Sequence, residues 1–422
     1  MTKSFVVKGN ILYCKEIGKM ETVENGYIVC VDGISRGVYT AIPQEYANLT
    51  LYDYTDKLII PGLVDLHIHA PQFHQRATGM DMEHLDWLNK RTFKQESQFE
   101  DLEFADKAYT IFVDAMKKSA TTRASIFATR HRPATLLLME KLEESGLISY
   151  VGKLNMDRNC PDYLCETPEE SVDETIKWIK ECERFERTKP IITPRFIPSC
   201  TDETMLQLGK IARKYNVAAQ SHVSENLSEI KWVSELCPNS KFYGDAYYNF
   251  GLFGGDVKTI MAHCVWSCDE ELELMKNQGV YIAHSPQSNT NVSSGIAPIR
   301  KYIDMGLKVG LASDVAGGSS ESIMRAMVDA VQVSKLRWRL VDQSLPCLTI
   351  PEVLYMATKG GGEFFGKVGS FEEGYEFDAV VLDDSLIPCP IEMSLEDRLE
   401  RMIYISDDRH ITAKFIYGTK II

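Results

Sequence analysis

The sequence has no long apolar run, no excess of positive charge and no regular pairing of its cysteines. Its 422 residues are 44% hydrophobic and 25% charged, which is typical of globular proteins. No stretch approaches the roughly 20 apolar residues that a transmembrane helix needs, and the first residues, "MTKSFVVKGNILYCKE", lack the apolar centre of a secretory signal. We therefore expect neither a membrane protein nor an exported one.

The net charge indicates which partners to expect, and the cysteine content indicates the redox compartment. A formal net charge of -14 would repel phosphate backbones, and no basic stripe with interleaved aromatic residues is present, so nucleic acid is a poor partner. Eleven cysteines, an odd number without paired spacing, favour reduced thiols in a cytoplasm over a disulfide framework.

Both ends of the chain show short alternating segments separated by Gly and Asn-Gly turns. "SFVVKGNILYC" and "GYIVCVDGI" lie within the first 60 residues, and "FDAVVLDD" and "AKFIYGTKII" lie within the last fifty. Alternation of this kind predicts strands and hairpins. From pattern alone, the two ends could share one small β unit.

The middle of the chain has a different periodicity, in which buried strand-like runs are each followed by a helical pattern. The runs are "PIITPRFI" (190–197), "VAAQSHV" (217–223), "KTIMAHC" (258–264), "GVYIAHS" (279–285) and "LKVGLASD" (307–314). Strand followed by helix, repeated over about 300 residues, indicates a parallel α/β fold. A (β/α)₈ barrel is the architecture that best fits this size.

The stretch "PGLVDLHIHAPQF" places two histidines at the end of one such run. In an extended segment His67 and His69 project to the same face, so both imidazoles could meet one metal ion. Taken alone, two histidines in this spacing at a strand end are a weak signal, and the alternative is a hydrogen-bonded pair of core histidines. Polar residues also end four further runs, and these are Arg195, His222, His263 or His284, and Asp314. Because barrel enzymes place their active sites at the carboxyl ends of the strands, we predict that these groups converge.

Several neutral imidazoles and one carboxylate suit a borderline divalent ion, with Zn²⁺ as the first choice and Fe²⁺ as the second. A water molecule bound to such an ion ionises near neutral pH and becomes a nucleophile. Glu225, three residues after His222, could then carry protons for the reaction. The alternative is that Glu225 is a charge at the N-terminus of the helix "ENLSEIKWVSEL", and its position alone leaves both open.

Six motifs, in this order and spacing, resemble the amidohydrolase superfamily and, within it, the guanine-deaminating enzymes. They are "PGLVDLHIHAPQF", "TPRFIPSC", "QSHVSEN", "MAHC", "HSPQSN" and "SDVAGG". The resemblance implies a metal-dependent barrel over residues 61–370, and a flanking β-sandwich from residues 1–60 and 371–422. The implied reaction converts guanine and water to xanthine and ammonia, and the implied assembly is a homodimer.

The same resemblance implies roles for individual residues. Its metal ligands are His67, His69, His222, His263 and Asp314, and its catalytic residues are Glu225 as proton shuttle, Asp314 as ligand and base, and His263. For His263 two roles stay open, because in related deaminases the equivalent residue orients the attacking water. Gln72, Arg195 and Phe196 match purine-recognition positions, where a guanidinium and a carboxamide can bind ring oxygen and nitrogens and an aromatic face can stack.

Three departures from the expected motifs concern substrate choice rather than the metal site: Ser285, Gln287 and Ala120. One alternative is therefore a related amidohydrolase acting on another aminopurine, a pyrimidine or a triazine. A second alternative is a non-catalytic module that binds metal or purine on the same fold.

Overall fold

The structure is a computed structural model that describes residues 3–422. Within these residues the strands are β1 (Phe5–Glu16), β2 (Lys19–Val31), β3 (Ile34–Tyr39), β4 (Thr50–Pro61), β5 (Leu63–His69), β6 (Thr121–Phe127), β7 (Ile148–Gly152), β8 (Leu154–Asn155), β9 (Thr188–Pro190), β10 (Thr193–Pro194), β11 (Ala219–Val223), β12 (Thr259–His263), β13 (Tyr281–His284), β14 (Lys308–Leu311), β15 (Ala379–Leu382), β16 (Ile411–Ile416) and β17 (Thr419–Lys420). The helices are α1 (His84–Trp87), α2 (Phe93–Glu96), α3 (Leu102–Lys118), α4 (Arg132–Ser145), α5 (Pro168–Glu181), α6 (Asp202–Tyr215), α7 (Leu227–Leu236), α8 (Tyr243–Asn249), α9 (Asp269–Gln278), α10 (Pro286–Asn291), α11 (Ile299–Asp304), α12 (Ile323–Leu340), α13 (Ile350–Tyr355) and α14 (Leu395–Ile405).

Strands from both ends of the chain form one seven-stranded sheet, in the order β17-β16-β15-β4-β1-β2-β3. Strand β4 pairs parallel to β1 and antiparallel to β15, so it joins the two ends directly. The sheet has an apolar cluster of its own, which includes Phe5, Phe377 and Phe415. The expectation that both ends contribute to one β unit is confirmed.

The middle of the chain forms parallel sheets, which confirms the α/β class. One has the order β5-β6-β7-β9, a second has the order β11-β12-β13-β14, and β8 pairs with β10. Every residue of β5, β6, β12 and β13 is buried, as expected where helices cover both faces of a parallel sheet. Backbone hydrogen bonds link the sheets, from His69 to the carbonyl of Val315 and through the parallel bridge between Ile192 and Ala219.

Local signals explain where individual elements begin and end. Helix α6 begins after Thr201, whose hydroxyl accepts a hydrogen bond from the backbone N–H of Thr204 and so caps the helix. The run 190–197 is not one continuous strand, since it contains only the last residue of β9, the short strand β10 and the start of a 3₁₀ turn. Pro190 and Pro194 lack the N–H that a continuous ladder needs. Among the described residues, no helix combines the length and the apolar character required to cross a membrane.

The expectation of reduced thiols throughout is wrong at one place. Cys160 and Cys165 form a disulfide, with Cα atoms 5.6 Å apart, whereas the other nine cysteines are free thiols. Both residues lie in the loop that follows β8, and a separation of only five residues lets that loop bring them into bonding range. A single Cys-x₄-Cys spacing without a second pair of ligands or cysteines indicates neither a zinc site nor a disulfide framework, so the pair was not predicted.

Candidate metal and substrate site

Four of the predicted ligands meet at the carboxyl ends of the parallel strands. The Nε2 atoms of His67 and His69, both on β5, are 3.2 Å apart, and Nε2 of His222 on β11 is 3.4 Å from that of His69. Oδ1 of Asp314, just beyond β14, lies 3.0 Å from Nε2 of His67. Side chains separated by up to about 250 positions in the chain therefore converge on one point, as the sequence predicted.

The backbone around this point is held in unusual conformations. His263 and Asp314 have positive φ angles of 73° and 46°, which cost energy in residues other than glycine and recur at functional sites. Asp65, buried beneath the cluster, accepts hydrogen bonds from the backbone N–H groups of His67 and Ser313. Its carboxylate thus ties the end of β5 to the segment after β14.

Hydrogen bonds orient two of the imidazole rings. Nδ1 of His222 lies 2.6 Å from the backbone carbonyl oxygen of Arg195, and Nδ1 of His263 lies 2.8 Å from Oδ1 of Asn289. A proton on Nδ1 donates to these oxygens, so the lone pair of Nε2 faces the cluster. Ligand histidines in metal sites are commonly oriented in this way.

The electrostatics of the cluster fit a divalent cation. Burial lowers the pKa of His67 to about 4 and moves the pKa of His222 well below its usual value. Burial alone would raise the pKa of Asp314, but the nearby imidazoles lower it well below its usual range. Neutral nitrogen lone pairs 3.2–3.4 Å apart beside a carboxylate repel one another unless a cation lies among them. The donor set, imidazole nitrogens with one carboxylate oxygen, is one that Zn²⁺ and Fe²⁺ accept.

His263 lies between the cluster and Glu225. Its Nε2 atom is 3.6 Å from Oδ2 of Asp314 and 3.6 Å from Oε2 of Glu225. Burial alone would lower the pKa of His263, but these two carboxylates outweigh burial and raise it. The position is compatible with either role considered for this residue, ligand or water-orienting group.

Glu225 is buried, and it lies outside the helix that follows it. Helix α7 is capped by Asn226, whose side chain accepts from the backbone N–H of Glu229. Oε1 of Glu225 accepts a hydrogen bond of 2.8 Å from Ser294, and Oε2 lies 3.5 Å from Nε2 of His84. The carboxylate therefore faces the cavity described next and does not serve as a helix cap.

One cavity connects the cluster to the predicted purine-recognition residues. The space between its walls is about 440 Å³ when its open mouth is included. Its walls contain His69, Gln72, His84, Trp87, Leu88, Arg195, Phe196, His222, Glu225, Glu229, His263, Ser288, Val292, Asp314 and Gly317. Every predicted site residue except His67, which lies beneath the cavity floor, is part of this wall.

Glu96 contacts two of the predicted purine-binding residues. Its carboxylate forms a two-point ion pair with Arg195, at 2.6 and 3.2 Å, and accepts a 2.9 Å hydrogen bond from Nε2 of Gln72. Phe196 is buried, with its ring 6.1 Å from that of Trp232. No local feature of the sequence distinguishes Glu96 from the exposed acidic residues around it, so no role was predicted for this residue.

Three further histidines and acids have positions that the sequence did not indicate. His84, left without a role, lies in the cavity wall beside Glu225. Glu229 is also in the wall, where burial raises its pKa to about 8. His284, the alternative to His263 among the strand-end residues, is buried at the end of β13 outside the wall, and burial lowers its pKa to about 3. Gln287 points away from the cavity and binds Ser319.

Buried imidazoles and a carboxylate at the ends of parallel strands define an α/β protein with a candidate metal site. The sequence profile of the amidohydrolase family matches residues 58–421, and the chain belongs to this family.

Relatives and solved structures resemble the chain over nearly its full length. Guanine deaminase of Dictyostelium discoideum is 36% identical over 440 residues, covering 98% of this chain and 97% of that protein. Guanine deaminase of Homo sapiens is 36% identical over 396 residues, covering 90% of this chain and 85% of that protein. A crystal structure of guanine deaminase from C. acetobutylicum, with guanine bound in the active site, has a TM-score of 0.97 and 44% identity, covering 99% of this chain and 100% of that one.

Proposed function

We propose that this protein is a metal-dependent guanine deaminase, a hydrolase that converts guanine and water to xanthine and ammonia. The observation that carries the proposal is the cavity whose wall contains the imidazole–carboxylate cluster, Glu225, and the Gln72–Arg195–Phe196 group together. Similarity to guanine deaminases over almost the entire chain, including one structure with bound guanine, supports the same reaction.

The residues proposed to hold the metal are His67, His69, His222 and Asp314, with His263 as a further ligand or as the group that orients water. The two ring-orienting hydrogen bonds and the short spacing of unprotonated nitrogens support this set. When bound, a divalent ion lowers the pKa of a water molecule so that it can attack near neutral pH.

The protein's own carboxylates would move the protons. Asp314 has Oδ1 beside His67 and His69 and Oδ2 facing His263, so Oδ2 can accept a proton from the water that attacks the amino-bearing ring carbon. Glu225, held through Oε1 by Ser294, presents Oε2 to the cavity. From there it would relay the proton taken by Asp314 to the adjacent ring nitrogen. It would then take the proton of the new hydroxyl group, as the carbonyl forms, and give it to the departing amine, which leaves as ammonia.

Purine recognition is proposed for the other end of the cavity. Arg195 and Gln72 offer N–H donors to ring oxygen and nitrogens, and Phe196 offers an aromatic face. These groups face the same space as Oε2 of Glu225, so a bound ring would lie between the recognition residues and the proton-transfer residues.

For the fold, we propose that residues 61–370 close into a (β/α)₈ barrel and that residues 1–60 and 371–422 form a β-sandwich beside it. The hydrogen bonds between β5 and the segment after β14 support closure of the barrel. The shared seven-stranded sheet with its own apolar cluster supports a separate terminal unit. The homodimer and the cytoplasmic location stay predictions.

The deciding experiment measures ammonia release by metal-loaded protein from guanine, adenine, cytosine and 8-oxoguanine. We expect kcat/KM for guanine to exceed the others at least tenfold, which corresponds to about 1.4 kcal/mol of transition-state binding. Higher turnover of another base would instead identify a related deaminase. No ammonia from any of the four would indicate a non-catalytic binding module.

Metal analysis of the same preparation tests the cofactor. We expect close to one equivalent of divalent ion, with zinc or iron identified by mass spectrometry, and loss of activity after chelation that the same ion restores. Protein that is fully active after exhaustive removal of divalent ions would contradict the metal site.

A further inference from the structure

We infer that Glu96 is a positioning residue that fixes Arg195 and Gln72 for ligand binding and makes the site select an uncharged purine over an anionic one. The inference rests on the proposed function, because it concerns the recognition end of the same cavity. It starts from three buried polar side chains, Glu96, Arg195 and Gln72, which are 2–3% exposed.

The first step is geometric. The two carboxylate oxygens of Glu96 each accept from a different Nη atom of Arg195, at 2.6 and 3.2 Å. A guanidinium held at two points cannot rotate about its last bonds, so the plane of the fork is fixed. Its position is further limited by Phe93, whose ring centroid lies 5.1 Å from Cζ of Arg195.

The second step concerns which way the carboxamide of Gln72 points. A carboxylate only accepts hydrogen bonds, so the atom of Gln72 that lies 2.9 Å from Glu96 must be the nitrogen. The backbone N–H of Ala316 only donates, so the atom that lies 3.2 Å from it must be the oxygen. Glu96 thus holds the guanidinium, and together with Ala316 it holds the amide N–H of Gln72, so it contacts both donors at this end of the cavity.

The third step concerns charge. Among the described residues that line the cavity, Arg195 is the only lysine or arginine, and Glu96 neutralises it. The other charged groups in the wall include the carboxylates of Glu225 and Asp314. At this end, away from the proposed metal, an anionic ligand would lose its hydration and find no side-chain cation that is not already neutralised, whereas a neutral base has no such cost.

The test compares the metal-loaded wild-type protein with Glu96→Gln and Glu96→Asp. Glu100→Gln serves as a matched control, since Glu100 is an exposed carboxylate four residues further along the same segment. The measurements are KM and kcat for guanine, and binding of xanthine by calorimetry at pH values below and above its first ionisation. Thermal unfolding of each variant separates local effects from loss of the fold.

For Glu96→Gln we expect KM for guanine to rise at least tenfold with kcat changed less than threefold, because uniform binding is lost. We also expect the preference for neutral over anionic xanthine to reverse, since a buried guanidinium without its partner attracts anions. Glu96→Asp keeps the charge but shortens the reach, so KM should rise while the preference for the neutral form remains. Glu100→Gln should match the wild type.

Unchanged KM and unchanged charge preference in Glu96→Gln would overturn the inference, as would an equal loss of neutral and anionic xanthine binding. If Glu96→Gln does not fold, Glu96→Asp decides, and a wild-type KM in that variant would overturn the positioning role. Wild-type protein that releases no ammonia from guanine refutes the proposed function instead, and calorimetry with xanthine still tests the charge preference.

Discussion

Two of the regions in which charged side chains are buried or half-buried differ in how those charges are paired. The mouth cluster consists of His67, His69, His222, His263, Asp314 and Glu225. The joint, where the seven-stranded sheet meets the parallel strands, consists of Arg123, Glu376, Asp378 and Lys414. In the joint every charge is matched by hydrogen-bond partners, whereas in the mouth cluster nitrogen lone pairs face one another. Buried charges that all have hydrogen-bond partners are typical of structural sites. Buried donor atoms that face one another without such partners are typical of binding and catalytic sites.

The pairing in the joint is extensive. Arg123 on β6 donates to both oxygens of Asp378 at 2.7 and 3.1 Å and to Glu376 at 2.7 Å. Asp378 also accepts from the backbone N–H of Tyr417 at 2.8 Å. Lys414 on β16 donates to three backbone carbonyls at the end of α3, at 2.9–3.1 Å. These contacts fasten the terminal sheet to the parallel strands.

The largest expected effect is a loss of turnover when Glu225 in the mouth cluster is replaced. Replacing Glu225 by Gln keeps the shape of the side chain and its contact with Ser294 but removes the proton carrier. We expect kcat to fall by about 100- to 10,000-fold while metal content and guanine binding persist. Steady-state kinetics, metal analysis and equilibrium binding of guanine measure the three quantities.

The matched control for this variant is Glu235→Gln, an exposed carboxylate on α7, which should leave kcat unchanged. Near-normal turnover by Glu225→Gln would show that the proton shuttle is elsewhere.

In the joint the expected effect is on stability and not on turnover. Replacing Arg123 by Met leaves Asp378 buried without its counter-ion, and we expect a loss of about 3–5 kcal/mol in the free energy of unfolding. Denaturant titration measures the loss, and kcat/KM of the folded fraction should stay at the wild-type value. Replacing the exposed Arg184, paired with Glu140 at the surface, should cost less than about 1 kcal/mol. If both variants lose the same free energy of unfolding, the buried ion pairs of the joint stabilise the fold no more than a surface pair does.

The smallest expected effect is a pH dependence that originates in the joint. Burial lowers the pKa of Lys414 to about 7, although Asp408 and Asp378 nearby act in the opposite direction. In the unfolded chain a lysine keeps its proton up to about pH 10.4. Between these pH values the unfolded state binds more protons than the folded state, so this residue makes the free energy of unfolding increase with pH.

Replacing Lys414 by Met should therefore lower the slope of unfolding free energy against pH by up to about 1.4 kcal/mol per pH unit between about pH 7 and 10. Denaturant titrations at several pH values measure the slope. Replacing Lys118, an exposed lysine at the end of α3, should leave it unaltered. An identical slope in Lys414→Met and wild type would show that Lys414 stays charged in the folded state.

Much of the mouth cluster was predictable from local pattern, and the joint was not. Two-residue spacing places His67 and His69 on one face, and parallel strands bring their carboxyl ends to one edge, so convergence with Asp314 followed from the sequence. By contrast, Arg123 and Asp378 are 255 positions apart, and nothing in the neighbourhood of either residue indicates the other. The disulfide was missed for a related reason, since it depends on the path of one irregular loop.

By itself, the sequence determined the α/β class, the order of strands and helices in the middle of the chain, and the strand ends at which polar side chains occur. Hydrophobic periodicity and turn residues are local properties, so they can be seen without a structure. Only the tertiary structure decided that Glu96 binds Arg195 across 99 positions, that His84 reaches Glu225, and that one cavity connects the cluster to the recognition residues. Those contacts depend on how the segment over the strand ends packs in three dimensions, and no local pattern encodes that packing.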